Sequence, residues 1–278
     1  MSVYIGVDLG GTNMRAGRVE NDCLVAQASE RTPKSPKDTA ETIDLLERVI
    51  RSVWTPEVSA IGIGVPGLVD RQNGVVYNLV NIPHWDVVPL REILEARFGV
   101  RVVIDNDANC FALGERVFGV GRQYENFVGL TLGTGLGGGI IQQGRLLADS
   151  NCGSGEFGMM PYRDNILEYY CSGSYFMNIW GVDGKTMYER ALKGDAEALE
   201  AYRQLGEHIA AAVKIVMLAV DPEMIVFGGS VAAAHALFEE SLWENLRGFA
   251  YPNSVKRLRI FFSEMENPAI LGAASLCY

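Results

Sequence analysis

Five consecutive residues, Asp105-Asn106-Asp107-Ala108-Asn109, set two carboxylates beside two carboxamides. Phosphoryl transfer needs a base that orients an alcohol and takes its proton, together with groups that neutralise phosphate charge. Asp107 is the candidate base. An Asx residue before Ala108 is also a good helix N-cap. Capping accounts for one of these side chains but does not call for all four. Two glycine strings offer the phosphate side. In Asp8-Leu9-Gly10-Gly11-Thr12-Asn13 the glycine pair lets the backbone come close to a ligand, and successive N–H groups form an anion-binding concavity. Thr12 and Asn13 add neutral donors, and Asp8 can hold Mg²⁺ through water. An ordinary hairpin turn would read the same way without a ligand. Gly133 to Gly139 contains G-x-G-x-x-G at Gly133, Gly135 and Gly138. A dinucleotide fingerprint must open a helix, whereas Ile140-Ile141-Gln142-Gln143-Gly144-Arg145 continues as strand and turn. A second phosphate turn that includes Thr134 and Gly135 fits better. In Gly153-Ser154-Gly155-Glu156-Phe157-Gly158, Glu156 is a carboxylate suited to a polyol, with a flexible loop as the plain alternative. Gly228 and Gly229 follow an apolar strand, where they either admit adenine or its phosphates to the backbone or make a simple turn.

The elements that must hold these groups follow from periodicity. Strands are expected at Val3 to Asp8, Met14 to Glu20 and Cys23 to Ala28, with a helix over Thr39 to Val53. A buried strand, Ser59 to Val65, precedes Pro66-Gly67. A helix through Leu90, Ile93, Leu94 and Phe98 is stopped by Gly99. The strand Arg101 to Asp105 runs into the aspartate segment and a further helix. Phe127 to Leu132 is a strand, Gly133 to Gly139 a turn, Ile140 to Gln143 a strand, and Leu146-Leu147 follow a small turn. Laid over the N-terminus, this stretch matches Gly6 with Gly129, Leu9 with Leu132 and Gly10 with Gly133. The repeat predicts two similar α/β lobes. The C-terminal part reads as a helix over Ala196 to Val220 ended by Asp221-Pro222, then a strand over Met224 to Phe227. A helix over Ala232 to Leu246, a strand over Leu258 to Phe262 and a helix over Pro268 to Leu276 complete it. Strands alternating with helices predict mostly parallel sheets covered on both faces.

Composition bounds the rest. The 278 residues suffice for two domains, and 48% hydrophobic with 21% charged residues is ordinary for a folded chain. A net charge of −10 argues against a nucleic-acid partner. Five cysteines without a C-x-x-C pair favour a reducing compartment over a disulfide framework. The three histidines lie in no metal-ligand spacing with cysteine. The N-terminus lacks the features of a signal peptide, and no apolar run is long enough to span a membrane.

Taken together, the strings resemble the ROK family (repressors, open reading frames and kinases) of bacterial sugar kinases, from Ile5 to Ala274. Val7 to Asn13 is similar to its first phosphate loop and Leu132 to Gly139 to its second. Gly62-Ile63-Gly64-Val65-Pro66-Gly67 and Asn81-Ile82-Pro83-His84-Trp85 resemble its sugar-pocket segments, and Asp105 to Asn109 its catalytic segment, with Asp107 the base. Gly155 to Gly158 and Leu167-Glu168-Tyr169-Tyr170-Cys171-Ser172-Gly173 resemble the segments that carry two sugar-binding glutamates. The resemblance implies an α/β fold of two actin-like, ribonuclease H-like lobes, with mixed sheets flanked by helices and an interlobe cleft. The small N-terminal lobe is expected at 1–110, completed by the C-terminal helix 266–278, and the larger lobe at 111–265. ATP, Mg²⁺, a cytoplasmic setting and a homodimer follow as expectations. So do sugar contacts from Gly67, Asn81, Asn106, Glu156 and Glu168, and nucleotide contacts from Asp8, Gly10, Gly11, Thr12, Asn13, Thr134, Gly135, Gly228 and Gly229. The implied reaction makes hexose 6-phosphate, glucose leading, with mannose, fructose, allose and N-acetylhexosamines as alternatives and polyphosphate as an alternative donor. A sugar-sensing repressor of the same family is disfavoured by the acidic charge and by a phosphate-loop strand that begins at Val3, and a silent sugar-binding module by the retained Asp107 and both loops. The chain departs from the family at one point. Met159 stands where a sugar- and zinc-binding His is usual, and Met160 to Ile166 replaces a Cys-rich zinc segment. No zinc site is expected, and Glu168 must then be positioned by packing.

Overall fold

The computed structural model describes residues 2–79, 82–148 and 150–278. The chain opens with β1 (Val3–Leu9), β2 (Asn13–Glu20), β3 (Cys23–Arg31), α1 (Thr39–Arg51) and β4 (Val58–Val65). It continues through β5 (Leu68–Asp70), β6 (Val75–Tyr77), β7 (Val87–Val88), α2 (Leu90–Phe98), β8 (Arg101–Asn106) and α3 (Asp107–Val117). Next come β9 (Phe127–Leu132), β10 (Leu136–Gln142), β11 (Arg145–Leu146), β12 (Pro161–Tyr162) and β13 (Asn165–Ile166). Four helices follow, α4 (Leu167–Cys171), α5 (Ser174–Trp180), α6 (Gly184–Leu192) and α7 (Ala196–Val220). The last elements are β14 (Met224–Gly228), α8 (Glu239–Leu246), α9 (Pro252–Arg257), β15 (Arg259–Phe262) and α10 (Pro268–Ser275). The chain divides into two compact units, Met1–Arg122 with Arg145–Ser154 and Met265–Tyr278, and Gln123–Gly144 with Gly155–Glu264. Among the described residues no helix is long and apolar enough to cross a membrane.

The first unit is built on a sheet of order β3-β2-β1-β4-β8. Strand β2 runs antiparallel to both its neighbours, β1 and β3, while β4 and β8 run parallel to β1 and to each other. The parallel strands β1 and β4 are apolar almost throughout, because both faces are covered. Their glycines have a packing reason. A Cβ on Gly6 would run into the carbonyl of Ile270, and one on Gly62 into that of Ala273. Helix α10 thus lies directly on the backbones of β1 and β4. Its own Gly272 meets the Cys110 carbonyl of α3 in the same way.

The second unit repeats the plan, with β10, β9, β14 and β15 side by side. Again the hairpin is antiparallel and the two following strands are parallel. The repeat predicted from the glycines therefore holds at the level of strand order. Its turns differ in length. Leu9 pairs with Met14 around four turn residues, and Leu132 with Leu136 around three.

The structure corrects the sequence reading in three places. Gly137, Gly138 and Gly139 belong to β10 and pair with Thr131, Leu130 and Gly129, so only 133–135 turn. The expected helix over Ala232 to Leu246 breaks at Phe238, whose φ of −130° separates a 3₁₀ segment, Ala232–Leu237, from α8. The cause is burial, since Phe238 is 1% exposed and sets its ring edge-on to Phe262. Strands β5, β6 and β7 form a small antiparallel sheet too short to announce itself by alternation.

Candidate functional site

In the first unit the register of three parallel strands brings acidic groups into one row. Asp8 of β1 lies beside Gly64 of β4, and Gly64 beside Asp105 of β8. At about 4.8 Å per strand the two aspartates stand roughly 10 Å apart along the backbone, on one face. Gly64 between them leaves room for α3, since a Cβ there would meet the Cα of Asp107 and Sγ of Cys110. All three carboxylates act on Cys110, whose thiol is pushed well up by burial and then by Asp105, Asp107 and Asp8.

Each acid is held differently. Asp8 is 8% exposed, and Arg15, its partner in the hairpin register, donates to its Oδ2 over 2.5 Å. Burial raises the Asp8 carboxyl, and Arg15 opposes the shift. Asp105 accepts from Asn109 Nδ2 at 2.8 Å, from the Asn106 N–H at 2.7 Å and from Arg71 Nη1 at 3.2 Å. Burial raises it too, against Arg71 first. Asn106 is the N-cap of α3. Its Oδ1 accepts from the N–H groups of Ala108 and Asn109 at 2.8 and 3.3 Å, while its Nδ2 donates to the Gly67 carbonyl at 3.1 Å. The cap and the segment that ends at Gly67 are therefore tied together. Asp107 follows as the first residue of α3, half-buried, with Oδ1 2.8 Å from the Ala108 N–H.

The first glycine turn closes with the Gly10 N–H donating to the Asn13 carbonyl at 2.9 Å. Thr32 braces it from outside, its N–H to the Thr12 carbonyl and its hydroxyl to the Gly10 carbonyl at 3.0 and 2.6 Å. Gly10 and Gly11 are half-buried, and Thr12 and Asn13 are exposed. Asn81, the other expected sugar contact, lies outside the described residues.

The second unit gathers the rest. The turn 133–135 follows the carboxyl end of β9, with Thr134 exposed at its tip. Gly173 donates its N–H to the Gly133 carbonyl at 2.7 Å. Gly228 ends β14 opposite Thr131. Gly229 has φ of +92°, and a Cβ there would meet the backbone of Leu132, so both conformation and closeness require glycine. These glycines lie at carboxyl ends of adjacent parallel strands, where α/β sheets receive ligands. Glu168 stands against this turn, its Oε2 accepting from the Leu136 N–H at 2.9 Å and lying next to Gly135. Glu156 precedes a 3₁₀ turn, Phe157–Met159. Burial raises its carboxyl, and the charge of Glu168 raises it further, so the two glutamates face one electrostatic environment. Glycines 155 and 158 allow their loop to rest on β10, where side chains would strike the carbonyls of Gly138 and Leu136.

Comparison with known proteins decides the family. The ROK family model matches residues 4–278. The chain belongs to the ROK family. It is 31% identical to a glucokinase of Thermotoga maritima, over 98% of this chain and 96% of that one. It is also 31% identical to an N-acetyl-D-glucosamine kinase of Haemophilus influenzae, over 85% of this chain and 87% of that one. A crystal structure of a ROK family glucokinase from Streptomyces griseus, in complex with glucose and AMPPNP, covers 99% of both chains at 27% identity with a TM-score of 0.85. The fold is thus the mixed α/β architecture of ROK sugar kinases.

Among the described residues of this ROK chain, no donor set suited to zinc stands near Glu168. Met159 is 59% exposed, residues 161–166 form the β12–β13 hairpin, and His208 Nδ1 lies 3.2 Å from the Tyr162 hydroxyl. Among the described residues no group of three or more His, Cys, Asp or Glu is arranged for a metal. Arg15, Thr32 and Arg71 are the supporting residues that sequence reading missed. Arg15 was within reach, because a four-residue turn sets it opposite Asp8. Arg71 was not, since it reaches Asp105 from the turn between β5 and β6.

Proposed function

We propose that this sugar kinase transfers the γ-phosphoryl group of MgATP to the 6-hydroxyl of a hexose, with glucose as the leading substrate and Asp107 as the general base. The observation that carries the reading is Asp107 at the opening of α3, beside the row that holds Asp8 and Asp105. As the sugar oxygen attacks phosphorus, its proton passes to Asp107, the bond from the γ-phosphorus to the bridging oxygen breaks, and ADP leaves. Arg71 and Asn109 compensate Asp105, so that the base does not face two unpaired neighbouring charges. Asn81, Asn106, Glu156 and Glu168, with Gly67 alongside, hold the sugar. Gly10, Gly11, Thr12, Asn13, Thr134 and Gly135 hold phosphates, and Gly228 and Gly229 line the nucleotide. Asp8 fits a water-bridged Mg²⁺ role, since a carboxylate paired with one guanidinium keeps further acceptor capacity. A cytoplasmic homodimer is carried over from the family resemblance.

A second reading, phosphorylation of an N-acetylhexosamine, is favoured by the 31% identity to an N-acetyl-D-glucosamine kinase. The test is ADP release measured over glucose, mannose, fructose, allose and the N-acetylated hexosamines, with ATP and polyphosphate as donors. The highest kcat/KM is expected for glucose with ATP. A maximum at an N-acetylhexosamine would select the second reading, and no ADP release with any sugar would overturn both.

A further inference from the structure

Helix α4, which carries Glu168, is five residues long and has no side-chain N-cap. Such a helix cannot hold its own geometry. Leu167, Tyr170 and Cys171 are its buried face, at helical spacing, and Glu168 lies off that face. What grips the buried side is an aromatic cluster. The Tyr162 ring stands edge-on to Tyr170 at 5.4 Å between centroids. Both rings pack on His208 of α7, at 5.8 and 5.0 Å. Tyr175 meets the same imidazole from α5 at 5.5 Å. The Tyr162 hydroxyl is 3.2 Å from His208 Nδ1. The guanidinium of Arg163 lies 5.6 Å from the centroids of both Tyr162 and Tyr170, and the Tyr170 hydroxyl donates to Asp164. The hairpin is also tied to the start of α4 by the Leu167 N–H to the Met160 carbonyl at 2.9 Å. On the opposite side of α4 the Glu168 carboxylate receives the Leu136 N–H.

We infer that Tyr162, Tyr170 and His208 are positioning residues. They anchor α4 to the long helix α7, and so fix Glu168 both as a sugar ligand and as the brace of the turn 133–135, without a metal. The sugar-ligand half of this rests on the reading of Glu168 given above. The brace half stands on the hydrogen bond to Leu136 alone.

The experiment compares the full-length chain with Tyr162→Ala, Tyr162→Phe, His208→Gln and Glu168→Gln. Two readouts are taken, the kinetic constants for glucose and hydrogen exchange at the Leu136 amide. Tyr162→Ala and His208→Gln are expected to raise the glucose KM roughly tenfold, the scale of a small misplacement of a binding group. They are also expected to speed Leu136 exchange relative to amides of β9. Tyr162→Phe keeps the ring contacts and is expected to recover most of both effects, which a general loss of stability would not produce. Dialysis against a zinc chelator, with Mg²⁺ restored, is expected to leave the wild-type KM unchanged. Glu168→Gln separates the two ideas. If it leaves the glucose KM unchanged, the ligand reading fails, and Leu136 exchange alone judges the positioning. Unchanged Leu136 exchange in both Tyr162→Ala and His208→Gln would overturn the inference, as would bound zinc near one per chain.

Discussion

Asp107 combines two properties that single residues seldom share: it opens a helix, and it stands beside two other acids. The cap of α3 is supplied by Asn106, whose Oδ1 takes two of the helix's first N–H groups. Asp107 is therefore not required as the cap. Replacing it with Asn conserves shape and removes the proposed base. We expect kcat to fall at least ~10²-fold, the lower end for general-base catalysis, with sugar affinity little changed. Steady-state kinetics together with direct titration of sugar binding checks both halves, and near-normal turnover would remove Asp107 from its role.

At the level of elements, the first unit depends on α10 lying against bare backbone. Gly62→Ala would force a methyl group into the Ala273 carbonyl. A carbonyl in a helix cannot swing aside as a flexible side chain can, so the cost is expected near the upper end of overpacking, about 3 kcal/mol. Gly99→Ala is the control. There the φ of +68° strains any side chain, but nothing lies within 4 Å, and about 1 kcal/mol is expected. Urea denaturation at constant m distinguishes the two, and equal losses would show that α10 yields.

For the whole molecule, stability is coupled to pH through groups that folding buries. His208, 3% exposed, has its imidazole pushed down to about 4 by burial and by Arg163, with Glu207 opposing. Its ordinary value is 6.5, so the unfolded chain binds the proton more readily between those limits. The contribution of His208 is thus complete above pH 6.5 and is lost as pH falls toward 4, about 3 kcal/mol in all. Asp8, Asp105 and Glu156, raised by burial, work the other way, favouring the folded state as pH falls. The clean measurement is the difference in unfolding free energy between wild type and His208→Gln from pH 7 to 4. It should narrow steadily with acidification. A difference independent of pH would mean that His208 stays protonated, or free to protonate, in the folded state.

What the sequence determined by itself was local or periodic. The alternation of strand and helix, the two glycine turns, the N-cap before Ala108 and the helix ended at Asp221 all follow from the conformational preferences of neighbouring residues, and the strings at Asp8, Asp105 to Asn109 and Gly133 carried the family resemblance. Tertiary structure decided the remainder. Only parallel register puts Asp8, Gly64 and Asp105 in one row, and only the packing of α10 on Gly6 and Gly62, and of α3 on Gly64, explains glycines inside these buried strands. The break at Phe238 arises because a large ring gains more from the core than the backbone loses by leaving a helix. Arg71 and His208 reach their partners across long stretches of chain, where no spacing rule operates, because contacts of that kind exist only after the chain has folded.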